Sequence, residues 1–113
     1  MPSASGTISA FGKNFLGTFN PPQGMVKVTG LFSSSVPLLT VSSASVTFNS
    51  FSDLVGPYDI IIRVPPSFIG STSIDILFQN PAGTELHVTG NLDEVTSHRI
   101  TIAGHGVWTP VGL

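Results

Sequence analysis

Nine side chains in this sequence can exchange a proton or ligate a metal near neutral pH. They are His87, His98 and His105, and the carboxylates Asp53, Asp59, Asp75, Glu85, Asp93 and Glu94. No histidine pairs with another at the spacing of a metal site on one strand or helix, so no metal is expected. Asn91-Leu92-Asp93-Glu94 offers too few oxygens for calcium and reads as a solvated loop. Hydrolysis needs a nucleophile held against a base, or two carboxylates a few ångströms apart. The serines are many, but none sits in a Gly-x-Ser-x-Gly elbow, and the acids are dispersed. Gly12, Gly17 and Gly24 build no phosphate-cradling loop ahead of a helix. There is no cysteine, which removes disulfides, thiolate sites and a thiol nucleophile and leaves the redox compartment open. The chain is therefore expected to be no enzyme and to use no cofactor.

What remains is contact chemistry. His105-Gly106-Val107-Trp108 places the only tryptophan near a polar ring and a glycine, a pattern suited to sugar stacking or to anchoring a protein partner. Tyr58 is a second candidate for stacking on a glycan. Phe11, with Phe15 and Phe19, forms a possible contact strip near the N-terminal end, although each of these aromatics also has a reading as core. The possible contact surface is thus His105, Trp108, Phe11 and Tyr58.

The elements that must position these residues are strands. Between Tyr58 and Gly83 two aliphatic runs flank Pro65-Pro66: Tyr58, Ile60, Ile62 and Val64 share one face, and Thr72, Ile74, Ile76 and Phe78 repeat the pattern. Pro65-Pro66 closes the first run and Asn80-Pro81-Ala82-Gly83 the second, because proline donates no ladder hydrogen bond. Thr7 to Phe19 reads as strand, bulge and short strand, with Gly12 and Gly17 inside the pattern. Asn20-Pro21-Pro22-Gln23-Gly24 is a turn, and Met25 to Phe32 a strand with Val26, Val28, Gly30 and Phe32 on one face. Ser33-Ser34-Ser35 reads as a loop. Val36 to Val41 and Ser45 to Phe51 read as two strands broken near Ser42-Ser43, with Leu39, Val41, Val46 and Phe48 as core. Glu85 to Thr89 and Arg99 to Ala103 alternate again. No window of 11 or more residues has helical spacing. The fold expected is all-β, an antiparallel β-sandwich of about 7–9 short strands, immunoglobulin-like or jelly-roll, with a closed barrel as the alternative.

At 113 residues the chain makes a single domain, with a flexible N-terminal arm at 1–6 and a Gly/Pro-rich C-terminal tail at 104–113. Charged residues are 9% of the sequence, against about 25% in ordinary soluble domains. A surface so weakly charged is poorly defended against association, which points to a homo-oligomer or to other subunits of an assembly. The net charge is -2, and Lys13, Lys27, Arg63 and Arg99 are scattered, so no nucleic acid is expected. Serines, Gly30, Pro37 and Asn49 interrupt the uncharged interval 28–52, so no membrane span is expected. The first residues show no signal peptide.

Residues 22 to 86 resemble the immunoglobulin-like fold shared by plexins and transcription factors, the IPT/TIG family. Val26, Val28, Gly30 and Phe32 match an early strand of that family, and Ile60, Ile62, Val64-Pro65-Pro66, Gly70, Ile74, Ile76, Asn80 and Gly83 can be laid on its later pattern. About 20 residues precede the matching part and about 27 follow it, which the family module would not require. The resemblance implies a non-catalytic contact module and names no partner. Together these readings favour a non-enzymatic structural or accessory subunit of a larger assembly, such as a virion decoration, tail or fibre protein or an extracellular filament. A small carbohydrate-binding or adhesion module is the alternative. Either reading places the protein in a virion or outside the cell.

Overall fold

The computed structural model describes residues 3–22, 24–61, 68–70, 72–94 and 100–111. The Pro65-Pro66 turn, Ile62 and Val64, both arginines and His98 lie outside the described residues. Within them the chain forms eight strands: β1 (Ser3–Phe19), β2 (Val26–Thr47), β3 (Gly56–Ile60), β4 (Phe68–Ile69), β5 (Ser73–Gln79), β6 (Glu85–Asn91), β7 (Ile100–Thr101) and β8 (Gly104–Pro110). One 3₁₀ turn, Phe51–Leu54, leads into β3. Every strand pairing is antiparallel. No helix among the described residues is long and apolar enough to cross a membrane.

The all-β expectation holds, but the strands are not uniformly short. Residues 3–19 and 26–47 form one long hairpin, paired from Phe19 against Val26 to Ser3 against Thr47. Ser33-Ser34-Ser35 and Ser42-Ser43, read as a loop and a break, lie inside β2. They are places where β2 carries extra residues. Between the pairs Gly12 with Val36 and Asn14 with Leu31, β1 advances two positions while β2 advances five. The surplus bulges out, and both strands bend there. Gly12 takes the bend with a φ of 63°, a left-handed conformation that glycine adopts without a Cβ clash. Ser33 secures the other strand: its N–H donates to the Ala103 carbonyl at 2.8 Å and its Oγ accepts from the Ala103 N–H at 3.2 Å.

The bends reset which side chains face inward. In β1 the buried positions are Ala4, Ile8 and Ala10 before Gly12, and Phe15 and Phe19 after it. Even-numbered residues point inward on one side of the bend and odd-numbered ones on the other. β2 changes phase twice, from Val26, Val28, Phe32 and Val36 to Leu39 and Val41, then to Ala44 and Val46. A single extra residue exchanges the two faces of a strand, because the side-chain period is two.

The sheet closes on itself. One end of β2 pairs with β8 and its other end with β6, and β8, β3, β5 and β6 are linked in that order. The expected sandwich gives way to its barrel alternative because β2 is long enough, and bent enough, to serve both ends of the ring. β1 curls with it until its two limbs meet: the Asn20 N–H donates to the Ser5 carbonyl at 2.9 Å, and the Thr7 and Thr18 hydroxyls are 3.1 Å apart. A Cβ on Gly6 would run into the Thr18 carbonyl, so only glycine fits at this crossing.

Two further readings are corrected. Ser3 to Gly6, taken as a flexible arm, are part of β1, with Ala4 buried. Gly104 to Pro110, taken as a tail, is β8, a strand with β2 on one side and β3 on the other. Glycine and proline in that segment concealed an alternation in which Gly106 and Trp108 face inward.

Aromatic rings fill the centre of the core. Phe15 stacks on Phe32 with centroids 4.6 Å apart, Phe19 lies 5.6 Å from Trp108, and Phe78 meets Trp108 edge-on at 5.4 Å. Offset and edge-to-face pairs add stabilisation beyond the area they bury. Around them lie the aliphatics predicted for it, including Ile60, Ile74, Ile76, Leu39, Val41 and Val46.

Candidate contact surface

The structure separates the four residues predicted to form one contact surface. Trp108 is 1% exposed and belongs to the aromatic centre, on the inward phase of β8. Its indole N–H has no hydrogen-bond partner among the described residues. Tyr58 is buried as well, and its hydroxyl donates to the Asp53 carbonyl at 2.6 Å. Burial and, secondarily, the Asp53 charge push the phenol above its ordinary pKa, against a lowering by its hydrogen bond with Asn80. Neither ring presents a face to a sugar, which removes the stacking surfaces that motivated those two positions. His105 is exposed on β8, opposite Asp59 of β3 and Leu31 of β2. Phe11 is 68% exposed.

Phe11 does gather neighbours. It stands just before the Gly12 bend, and Leu38, 70% exposed, comes from the facing strand. With Leu16, Ser9, Ala10 and Asn14 they line a depression of about 310 Å³ at the corner of the hairpin. Leu38 and Leu16 were absent from the predicted surface. Leu16 could have been found from the alternation with Phe15, but only once the phase after Gly12 was known. For Leu38 the sequence offered no signal, since the turn of phase within β2 depends on its partner strand.

A second region is polar. On the outer faces of β5 and β6, His87 Nε2 donates to the Asp75 carboxylate, a diagonal contact, and farther along the two strands Gln79 Nε2 donates to its direct partner Glu85 at 3.2 Å. Asp59 continues the row toward His105. An imidazole on a carboxylate is half of a general-base device; the other half is a hydroxyl on the free ring nitrogen. Among the described residues no hydroxyl is bonded to the His87 ring; the Thr47 hydroxyl donates to the His87 backbone carbonyl instead. No group of three or more histidine, aspartate or glutamate side chains among them could hold a metal ion. On an open sheet face the pair acts as a cross-strand link.

Asp93, read as part of a solvated loop, has a definite role. Its Oδ1 accepts from the Ser42 backbone N–H at 3.0 Å and from the Ser42 hydroxyl at 2.7 Å, and its own N–H donates to the Thr40 carbonyl. Its pKa is lowered, by the Ser42 hydroxyl first and the Ser42 N–H second. The loop after β6 is thereby tied to the bulge of β2.

Comparison with known proteins returned no matching family model, no matching curated protein and no matching solved structure.

Proposed function

We propose that this protein is a non-enzymatic subunit of an ordered assembly, of the kind that builds virion surfaces or extracellular filaments, and that it works by contact with further copies of itself. The carrying observation is the hairpin corner, where Phe11 and Leu38 are each about two-thirds exposed on a barrel that buries Phe15, Phe19, Phe32, Phe48, Tyr58, Phe78 and Trp108. Isolated exposed apolar residues are ordinary, but a cluster around one depression favours burial against a neighbour. With 9% charged residues, little on the surface opposes that burial. The likeness of residues 22–86 to IPT/TIG modules points the same way, toward contact without catalysis.

Sedimentation velocity at micromolar concentration tests the proposal. The wild type should sediment above the monomer, and the double variant Phe11→Ser/Leu38→Ser should return it to the monomer with an unchanged far-ultraviolet dichroism spectrum. A wild type that stays monomeric as concentration rises, or a double variant that still assembles, defeats the proposal.

A further inference from the structure

The outward side chains of four neighbouring strands form a face that borders the hairpin corner at Leu16. Cross-strand pairing lays them in rows: Leu16 on β1, Thr29 on β2, Val107 on β8 and Pro57 on β3 make one row, and Leu31, His105 and Asp59 continue the next. Leu16, Leu31 and Val107 are each between 42% and 46% exposed. Lys27 stands on β2 two residues before Thr29, and Asp59 on β3 two residues after Pro57. β2 and β3 run in the same direction, because both are antiparallel to β8. Lys27 and Asp59 therefore lie on opposite sides of Val107, each one strand over and two residues along. Both are exposed, and neither has an ion-pair partner among the described residues.

We propose that this face packs against the same face of a second copy about a two-fold axis through Val107. The proposal rests on the self-contact reading above and deepens it by naming how two copies meet. An axis lying between the faces, over Val107 and perpendicular to the line from Lys27 to Asp59, sets each copy's Lys27 over its partner's Asp59. The same rotation brings Leu16 of one copy to Leu31 of the other, and Val107 meets its own counterpart. Such self-complementarity is what an isologous contact requires. A partner of another kind would have to match the two charges separately, whereas a second copy matches both by symmetry. The strands of the two copies cross steeply, as in orthogonal sheet packing. Four strands wide and three outward positions deep, the patch covers about 400 Å², below the about 800 Å² per partner of a standard interface, so the contact is weak on its own. Its crossed charges fix orientation more than they add affinity.

Charge exchange tests the arrangement. Lys27→Asp sets carboxylate against carboxylate at both crossed positions, and Asp59→Lys sets ammonium against ammonium. Each variant alone should self-associate about tenfold more weakly than the wild type in sedimentation velocity at low salt. An equimolar mixture of the two variants should recover association, because every crossed position then joins opposite charges. The chain carrying both Lys27→Asp and Asp59→Lys should associate with itself as the wild type does. Both positions are exposed, so the far-ultraviolet dichroism spectrum should not change. If the wild type associates but the single variants associate equally well, or their mixture stays dissociated, the two-fold arrangement is overturned and the self-contact reading stands. A wild type that is monomeric at every concentration defeats that reading and this arrangement with it.

Discussion

Phe11 and Phe15 are the same residue type, four positions apart on one strand, and they meet opposite fates. Phe15 is 5% exposed and stacked on Phe32, whereas Phe11 is 68% exposed at the rim of the hairpin corner. In an uninterrupted strand both would lie on one face. The bend at Gly12, with the surplus residues of β2 opposite it, turns the strand over between them. The difference teaches that the exposed apolar corner, the proposed contact surface, is made by a backbone event. The same apolar side chain serves cohesion on one side of the bend and is offered outward on the other.

The largest expected effect separates the two phenylalanines directly. Phe15→Ala should cost about 3–5 kcal/mol, the range for deleting a buried aromatic ring. Phe11→Ala should change stability by no more than about 0.5 kcal/mol, as exposed positions do. Urea denaturation followed by Trp108 fluorescence measures both, and equal losses would mean that Phe11 is core after all. Next comes the bend itself. Gly12→Ala forces a Cβ into the left-handed region and should cost about 1–2 kcal/mol. If the bend is what turns Phe11 outward, this variant should also weaken self-association, read by sedimentation; an unchanged profile would detach the surface from the bend.

The smallest effect concerns the buried phenol away from the corner. Tyr58→Phe removes the hydrogen bond to the Asp53 carbonyl and should cost about 0.5–1.5 kcal/mol at neutral pH. The folded protein holds the Tyr58 pKa above its unfolded value, so the associated stability is complete below about pH 10 and is lost as pH rises toward the folded pKa. The variant should therefore show a flatter alkaline limb in stability against pH. A limb identical to that of the wild type would mean that the hydroxyl is not held as described.

How much of this the sequence disclosed follows from how local each feature is. The strands at Val26–Phe32, Ser73–Gln79 and Glu85–Thr89 were legible because each keeps one phase from end to end, and so were their core residues Ile74, Ile76 and Phe78. The all-β class followed from these. β8 was hidden because Gly104, Gly106 and Pro110 carry no alternation of their own; its inward positions are defined by β2 and β3. The long hairpin was hidden because Ser33-Ser34-Ser35 has the composition of a loop, and only the pairing across to β1 shows it to be surplus within a strand. The contact residues suffered most. Trp108 and Tyr58 have the chemistry of a binding surface, but chemistry does not decide side, and both are packed inward. Phe11 was the one whose side placed it outside among apolar neighbours; His105 shares that exposure, between Asp59 and Leu31 rather than in an apolar cluster.

The position of β8 also bears on when the molecule can form during synthesis. Residues 104–110 are inserted between partners that left the ribosome long before, β2 from position 26 and β3 from position 56. Until that segment has cleared the exit tunnel, the ring has a gap with two unpaired borders and the Phe19 and Phe78 rings lack their indole neighbour. Contacts so distant in sequence form slowly, and exposed borders invite other chains. Nascent copies on one message therefore face their most adhesive moment before residues 104–110 emerge.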